Sequence, residues 1–460
     1  MRFTIDNAKQ YLVLPYFKGA EEREVKFFGQ EGKIVTSLLL EFKEEGNREV
    51  YLPSSLFPSK LTIDGPEGLD ELVRTEDRAP QSPSHFAYHY TPSFGWINDP
   101  NGMYYKDGVY HLYHQYNPVS EKWNNMSWGH AVSSDMVIFK EEKPVFLPKD
   151  DKWVIFSGSA LDGEFVYTVA NVKGDRAFYQ ERRYSEDGYS FTEPEVIIPN
   201  FVGDERDPRL FSYKGEKYIL LWLKGNTFAL YKKNGDKYEI MNSFEAKDAW
   251  ECPDLLEVEG RLFFTSADGF YFEAEIDEEG LHLISERKNM FLTKLPYASQ
   301  SFTGTEDTFI ISWLRTLTPH LPSTGTMSIV RKLGYKDGEL TLKPVDALFS
   351  HFKENREVKG EYSSKEDALY LETHGSFKGR LYSKPFSYDG STGTLIYGEE
   401  RVEMPIKNGI LHIFIDHEVT EISTDDWKKL ASFENGEKRG YDDSIKLTLN
   451  ETVLKEYIWR

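Results

Sequence analysis

Cysteine, basic charge, long apolar runs and helix signals are all scarce in this chain, and each shortage closes off a class of protein. A single cysteine, Cys252, rules out an intrachain disulfide. Acidic residues number 76 against 55 basic ones, for a formal net charge of −21. Phosphate-bearing partners are held by clustered Lys and Arg, so neither a nucleic acid nor an anionic membrane is the expected partner. No apolar run reaches the roughly 20 residues that cross a bilayer. The opening MRFTIDNAKQYLVLPYF places Asp6 ahead of its short apolar stretch and Pro15 within it. That is not the pattern of a secretory signal, and the expected location is cytoplasmic.

What is abundant is aromatic and alternating. Phe, Trp and Tyr make up 15% of the residues, which favours strands and also supplies flat faces for sugar rings. Period-2 alternation recurs in Met103–Tyr116, Lys217–Leu223, Gly260–Ser266 and Thr308–Leu314. The tripeptides KDG (Lys106–Gly108), EDG (Glu186–Gly188) and KDG (Lys336–Gly338) read as hairpin or strand-loop turns. The chain is therefore expected to be all-β, and its 460 residues call for two or three domains.

Three blocks are expected. Residues 1–80 read as a small N-terminal β module, with strands in Lys33–Phe42, Arg48–Pro53 and Ser59–Gly65, and with Asp70–Ser84 as a linker. Residues 81–345 have the strand density of a five-bladed β-propeller at about 40–50 residues per blade. Residues 346–460 alternate with turns in the manner of a C-terminal β-sandwich, closing on a strand pair in SIKLTLNETVLKEYIWR.

Three acidic motifs punctuate the middle block: WINDPNG (Trp96–Gly102), RDP (Arg206–Pro208) and ECPD (Glu251–Asp254). Each sets a carboxylate at or beside a proline, and Asp99, Asp207 and Glu251 fall in the first, third and fourth blades of the expected propeller. Pro100 restricts Asp99 to extended backbone. Any one of these strings alone suits a turn or a surface ion pair. Together they suit glycosidic cleavage, which needs one carboxyl group to protonate the leaving oxygen and another to attack or to activate water. Trp250, Leu255 and Leu256 suggest an apolar setting that keeps Glu251 protonated. His111, His114 and His130 do not make a convincing metal set, because His111 and His114 point to opposite faces of one strand.

The motifs together resemble glycoside hydrolase family 32, the β-fructofuranosidase, invertase, levanase and sucrose-phosphate hydrolase family. His89–Pro118 is similar to the family's opening block almost throughout. Trp128–Val137, Phe156–Ala160, Arg206–Phe211, Glu251–Val258, Tyr297–Phe302 and Gly325–Leu333 follow in family order. The resemblance implies a retaining hydrolase of terminal β-D-fructofuranosides such as sucrose or short fructans. Its nucleophile would be Asp99, its general acid/base Glu251 and its transition-state stabiliser Asp207. It also implies sugar contacts from Asn98, Gln115, Trp123, Phe156, Ser157, Arg206, Cys252 and Trp313, with no metal and no cofactor. The implied partner is a small carbohydrate, and any homo-oligomer would form through the accessory β modules. A fructosyltransferase on the same fold and a catalytically inactive fructan-binding protein are the alternatives. The chain departs from the family pattern in a short Gly158–Thr168 link, in Phe139 where Trp is usual, in the plain VRKL at Val330–Leu333, and in the N-terminal module itself.

Overall fold

The structure is a computed structural model and describes residues 1–44, 48–80, 85–150, 152–174, 177–406, 409–435 and 444–460. α-Helix is nearly absent among them: one turn at Leu69–Leu72 and one at Asp346–Ser350. Hairpins follow the turn chemistry. Asp107 and Gly108 have φ of 50° and 86°, and Asp337 and Gly338 have 50° and 83°, the positive values that match the twist of paired strands. Glu186–Gly188 instead lies in the loop between Phe178–Tyr184 and Glu195–Ile198.

The middle of the chain forms five antiparallel sheets, each led by an inner strand: Gly95–Lys106, Trp153–Leu161, Arg206–Tyr213, Asp254–Val258 and Pro296–Ser301. Each inner strand touches the next, and the fifth touches the first, which closes the ring of a five-bladed propeller. Ser323–Thr324, from the fifth blade's own segment, pairs in parallel with Gly95–Trp96 and seals the junction between the last blade and the first. Between blades the strands bury apolar faces. Trp128, Phe146, Phe165 and Tyr167, for example, form one cluster between the first and second blades. Closure is what lets residues remote in sequence share one axis.

The N-terminal block builds two sheets, in the orders Arg2–Asp6, Lys60–Asp64, Glu22–Phe28, Ile34–Glu41 and Arg48–Pro53, Tyr11–Tyr16, Arg74–Glu76. They share a core that includes Leu14, Tyr16, Phe27, Leu40 and Ile63. Here the linker reading of Asp70–Ser84 needs correction. Leu69 and Val73 are buried in this core, and Arg74–Glu76 completes the second sheet by pairing with Tyr11–Val13. Apolar anchors at both ends of a charged surface turn were enough to order it. Residues 81–84 of that stretch lie outside the described residues.

The C-terminal block is one hydrogen-bonded network of ten strands folded on itself into a sandwich. Phe386 and Tyr397 from one end of the strand order meet Ile422 and Phe433 from the other in a common core. The expected closing strand pair is a single strand, Ile445–Trp459. It contains no turn sequence; Glu451, at φ 52°, bends it instead, so its two halves serve different neighbours, Phe377–Leu381 and Leu369–Thr373. The sandwich docks on the propeller through buried charge. His89 sits between Asp416 (Nδ1 to Oδ2, 2.9 Å) and Glu421 (Nε2 to Oε1, 3.0 Å), and Arg331 donates to Glu421 at 2.8 Å. The Asp416 carboxylate also accepts the backbone N–H groups of Ala87, Tyr88 and His89.

Candidate active site

Four of the inner strands slip register at the residues that face the axis. Pairing slips between Ile97 and Pro100 in the first, between Ile155 and Gly158 in the second, between Arg206 and Arg209 in the third, and between Tyr297 and Gln300 in the fifth. A bulge adds one unpaired residue and re-aims its side chain. The slips fall at Asn98–Asp99, Phe156–Ser157, Asp207 and Ala298. The fourth blade achieves the same through its entry: Glu251 and Cys252, just before its inner strand, have φ of 26° and 44°. Asp207 has φ 62°, although a proline normally holds the residue before it extended. Asp99, also followed by proline, stays in the extended strand. Left-handed backbone in non-glycine residues costs on the order of 1 kcal/mol or more each and persists where surrounding structure enforces it.

These devices gather side chains from all five blades around a cavity of about 530 Å³. Asp99 Oδ2 accepts a hydrogen bond from Ser157 Oγ at 2.8 Å and Oδ1 one from Asn98 Nδ2 at 3.1 Å. Cys252 ties two carboxylates together: its Sγ lies 3.4 Å from Asp99 Oδ2 and 3.5 Å from Asp207 Oδ2, and its backbone N–H donates to Asp207 Oδ2 at 3.1 Å. Thr168 Oγ1 accepts from Asp207 N at 3.0 Å and fixes the strained backbone. Glu251 is gripped on both oxygens, Oε2 by Arg206 Nη2 at 2.6 Å and Oε1 by Tyr297 Oη at 2.6 Å. The Arg206 guanidinium lies over the Trp222 ring, 4.1 Å from its centroid, and its Nε is 3.7 Å from Asp207 Oδ2.

Burial and neighbouring charge make two of the acids costly to ionise. Burial, then the charge of Glu251, pushes the Asp99 carboxyl above its usual value. Burial also drives Asp207 upward; Arg206 opposes this, while Glu251 and Asp99 add to it. The Cys252 thiol is driven up strongly by burial and by the same carboxylates, which makes it a packing and hydrogen-bonding group rather than a nucleophile.

Of the sequence-predicted residues, Asn98, Asp99, Gln115, Trp123, Phe156, Ser157, Arg206, Asp207, Glu251 and Trp313 all line this one cavity, and Cys252 lies beside it. The apolar setting expected for Glu251 is a correction. Trp250 is 42% exposed, and Leu255 and Leu256 belong to inter-blade cores. The left-handed backbone turns Glu251 toward Arg206 and Tyr297 instead. Sequence reasoning did not single out Tyr297 or Val172 as lining residues. Tyr297 could have been found, since it opens the YASQSF block; Val172 has no motif to mark it. His111 and His130 stack with their rings 5.2 Å apart, whereas His114 lies against Tyr90.

A propeller whose inner strands present three carboxylates to one pocket, backed by a β-sandwich, defines the propeller class of glycosidase folds. Within that class the chain belongs to glycosyl hydrolases family 32: the model of the family's N-terminal domain matches residues 89–344. The chain is similar to a levanase from Bacillus subtilis, 37% identical over 215 residues, covering 42% of this chain and 31% of that protein. It is also similar to a sucrose-6-phosphate hydrolase from Lactococcus lactis, 28% identical over 432 residues, covering 79% of this chain and 90% of that one. A solved family 32 glycoside hydrolase from Bifidobacterium adolescentis shares the fold along the whole chain. Its TM-score is 0.71 at 16% identity, covering 100% of this chain and 99% of that one. No helix among the described residues is long and apolar enough to cross a membrane.

Proposed function

We propose that the protein hydrolyses terminal, non-reducing β-D-fructofuranosides by double displacement, with residues 81–345 as the catalytic unit. The observation that carries this reading is the convergence of Asp99, Asp207 and Glu251 on a single cavity. The two relatives, a levanase and a sucrose-6-phosphate hydrolase, agree in fructoside cleavage.

In the first step an oxygen of Asp99 attacks C2 of the fructosyl unit. The C2–O bond to the leaving group breaks, and Glu251 gives its proton to the departing oxygen. Water then attacks C2 and returns a proton to Glu251, and the bond to Asp99 breaks. Ser157, Asn98 and Cys252 hold the Asp99 carboxylate in one orientation, which reduces the entropy lost on reaching the transition state. The Asp207 bonds described above occupy Oδ2, leaving Oδ1 as an acceptor for fructose hydroxyls. Trp313 Nε1, buried and without a protein partner, is a matching donor. Arg206 is the only cation lining the cavity among the described residues, and it is engaged by Glu251. That lining favours an uncharged fructosyl unit in the cavity itself.

The test is fructose release from sucrose, sucrose 6-phosphate and a short fructan by the wild type, Asp99→Asn and Glu251→Gln. The wild type should release fructose and glucose equally from sucrose. Both variants should remain folded and lose at least about 10³-fold in kcat. Near-normal turnover by either variant removes the mechanism, and an excess of free glucose over free fructose indicates transfer to sugar.

A further inference from the structure

Trp123 stands at the cavity rim, 49% exposed, with its ring edge-on to Phe156 at 6.1 Å. It sits on the loop between two strands of the first blade, Val109–Asn117 and Ser127–Ser133, outside that blade's ladder. The loop is built onto the N-terminal module instead. Val119, fully buried, belongs to the module's own apolar core. Glu41 of the module, also fully buried, accepts from Ser120 Oγ at 2.8 Å and from Lys122 Nζ at 2.5 Å. Burial acts to raise the Glu41 carboxyl, but the bonds from Lys122, Ser120 and Gly19 outweigh it and hold the group ionised. Glu121, nearly buried, accepts from Arg48 at 2.6 Å and pairs with Lys18. Asn125 exchanges two bonds with the backbone of Leu39, at 2.7 and 2.9 Å, as a strand partner would. Asn124 donates to Glu22 at 3.0 Å. The residues on both sides of Trp123 are thus fixed by the module, and Trp123 itself is left facing the pocket.

We propose that the N-terminal module is a positioning device for Trp123, and that Glu41, Arg48 and Lys18 thereby set the affinity for the sugar unit beyond the cleaved bond. This rests on the fructosidase reading above. The physical argument is that a half-exposed indole on a free loop would pay conformational entropy each time it stacked on a sugar. A loop held by a buried carboxylate and a strand-like pair of bonds pays that cost on folding. These three residues touch no substrate; they act through Trp123.

The experiment compares Glu41→Gln, the surface double variant Lys18→Met/Arg48→Met, Trp123→Ala, and Trp123→Ala combined with each, using sucrose and a fructosyl trisaccharide. Glu41→Gln and the double variant should raise KM for the trisaccharide about 5-fold while kcat changes less than about 2-fold, the split expected when ground-state binding is lost. Trp123→Ala should do the same, and combining it with either clamp variant should add nothing, because one indole carries both effects. Additive effects, or a lowered melting temperature with unchanged KM, overturn the proposal. Should the wild type cleave no fructoside, the functional reading fails by itself. The positioning claim is then decided by acrylamide quenching of Trp123 fluorescence, taken as the difference between each protein and its Trp123→Phe counterpart. Greater quenching in Glu41→Gln sustains the claim and equal quenching overturns it.

Discussion

Asp207 is 6% exposed, adopts φ 62° and shares a pocket with Asp99 and Glu251, so the features that suit it to the proposed grip on sugar hydroxyls also make its charge costly to the fold. Its raised pKa fixes the sign of that cost. A carboxyl that binds its proton more tightly in the folded chain than in the unfolded one destabilises the fold at every pH where it must ionise. Asp207→Asn keeps the shape, removes the charge, and can still accept from the Cys252 N–H. It should raise stability at pH 7 by about 1 kcal/mol while abolishing turnover, the trade expected at an active site. Thermal unfolding and a sucrose assay on the same sample check both halves. A lower melting temperature would mean that Asp207 is held for structural reasons.

The inner strands show what was legible in the sequence and what was not. The motif residues were readable because their chemistry is local: Asn-Asp-Pro-Asn-Gly, Arg-Asp-Pro and Glu-Cys-Pro-Asp declare themselves without knowledge of their neighbours. The hairpins at Lys106–Gly108 and Lys336–Gly338 were readable for the same reason. The bulges that aim those residues were not, because a register slip depends on the partner strand. The Arg206–Tyr297 grip on Glu251 joins three blades, and Trp250 was misjudged because adjacency in sequence is not adjacency across a left-handed turn. The loop around Trp123 was equally opaque, since its partners lie some 70 to 100 residues earlier. Close packing between strands also sets Trp313. Gly325, at φ 88°, leaves no room for a side chain: a Cβ there would lie 2.2 Å from Ile97 O and 2.9 Å from Trp313 Nε1. Gly325→Ala should cost about 1–3 kcal/mol and raise KM by displacing the indole, as read by urea unfolding and steady-state kinetics. Unchanged KM would take Trp313 out of the binding surface.

Across the whole molecule, the docking of sandwich on propeller turns on one histidine. Both ring nitrogens of His89 face carboxylates, and although burial alone would lower its pKa, Asp416 and Glu421 raise it from 6.5 to about 9. A basic group whose pKa rises on folding stabilises fully below its unfolded value and loses that contribution as pH climbs through the folded one. Folding stability should therefore decline between about pH 6.5 and pH 9 by an amount on the order of 3 kcal/mol, seen as a falling melting temperature, and His89→Gln should flatten that decline. An unchanged pH profile in the variant would show that other groups govern the alkaline loss.

The proposed double displacement also predicts the stereochemistry. Attack by Asp99 from one face, followed by a second attack from the other, would return fructose with its original configuration. Running the reaction in aqueous methanol traps the transferred unit as a methyl fructofuranoside, whose anomer is read by NMR. The wild type should give the β anomer alone and Asp99→Asn should give none. The α anomer from the wild type, or β product from Asp99→Asn at a comparable rate, would contradict the account.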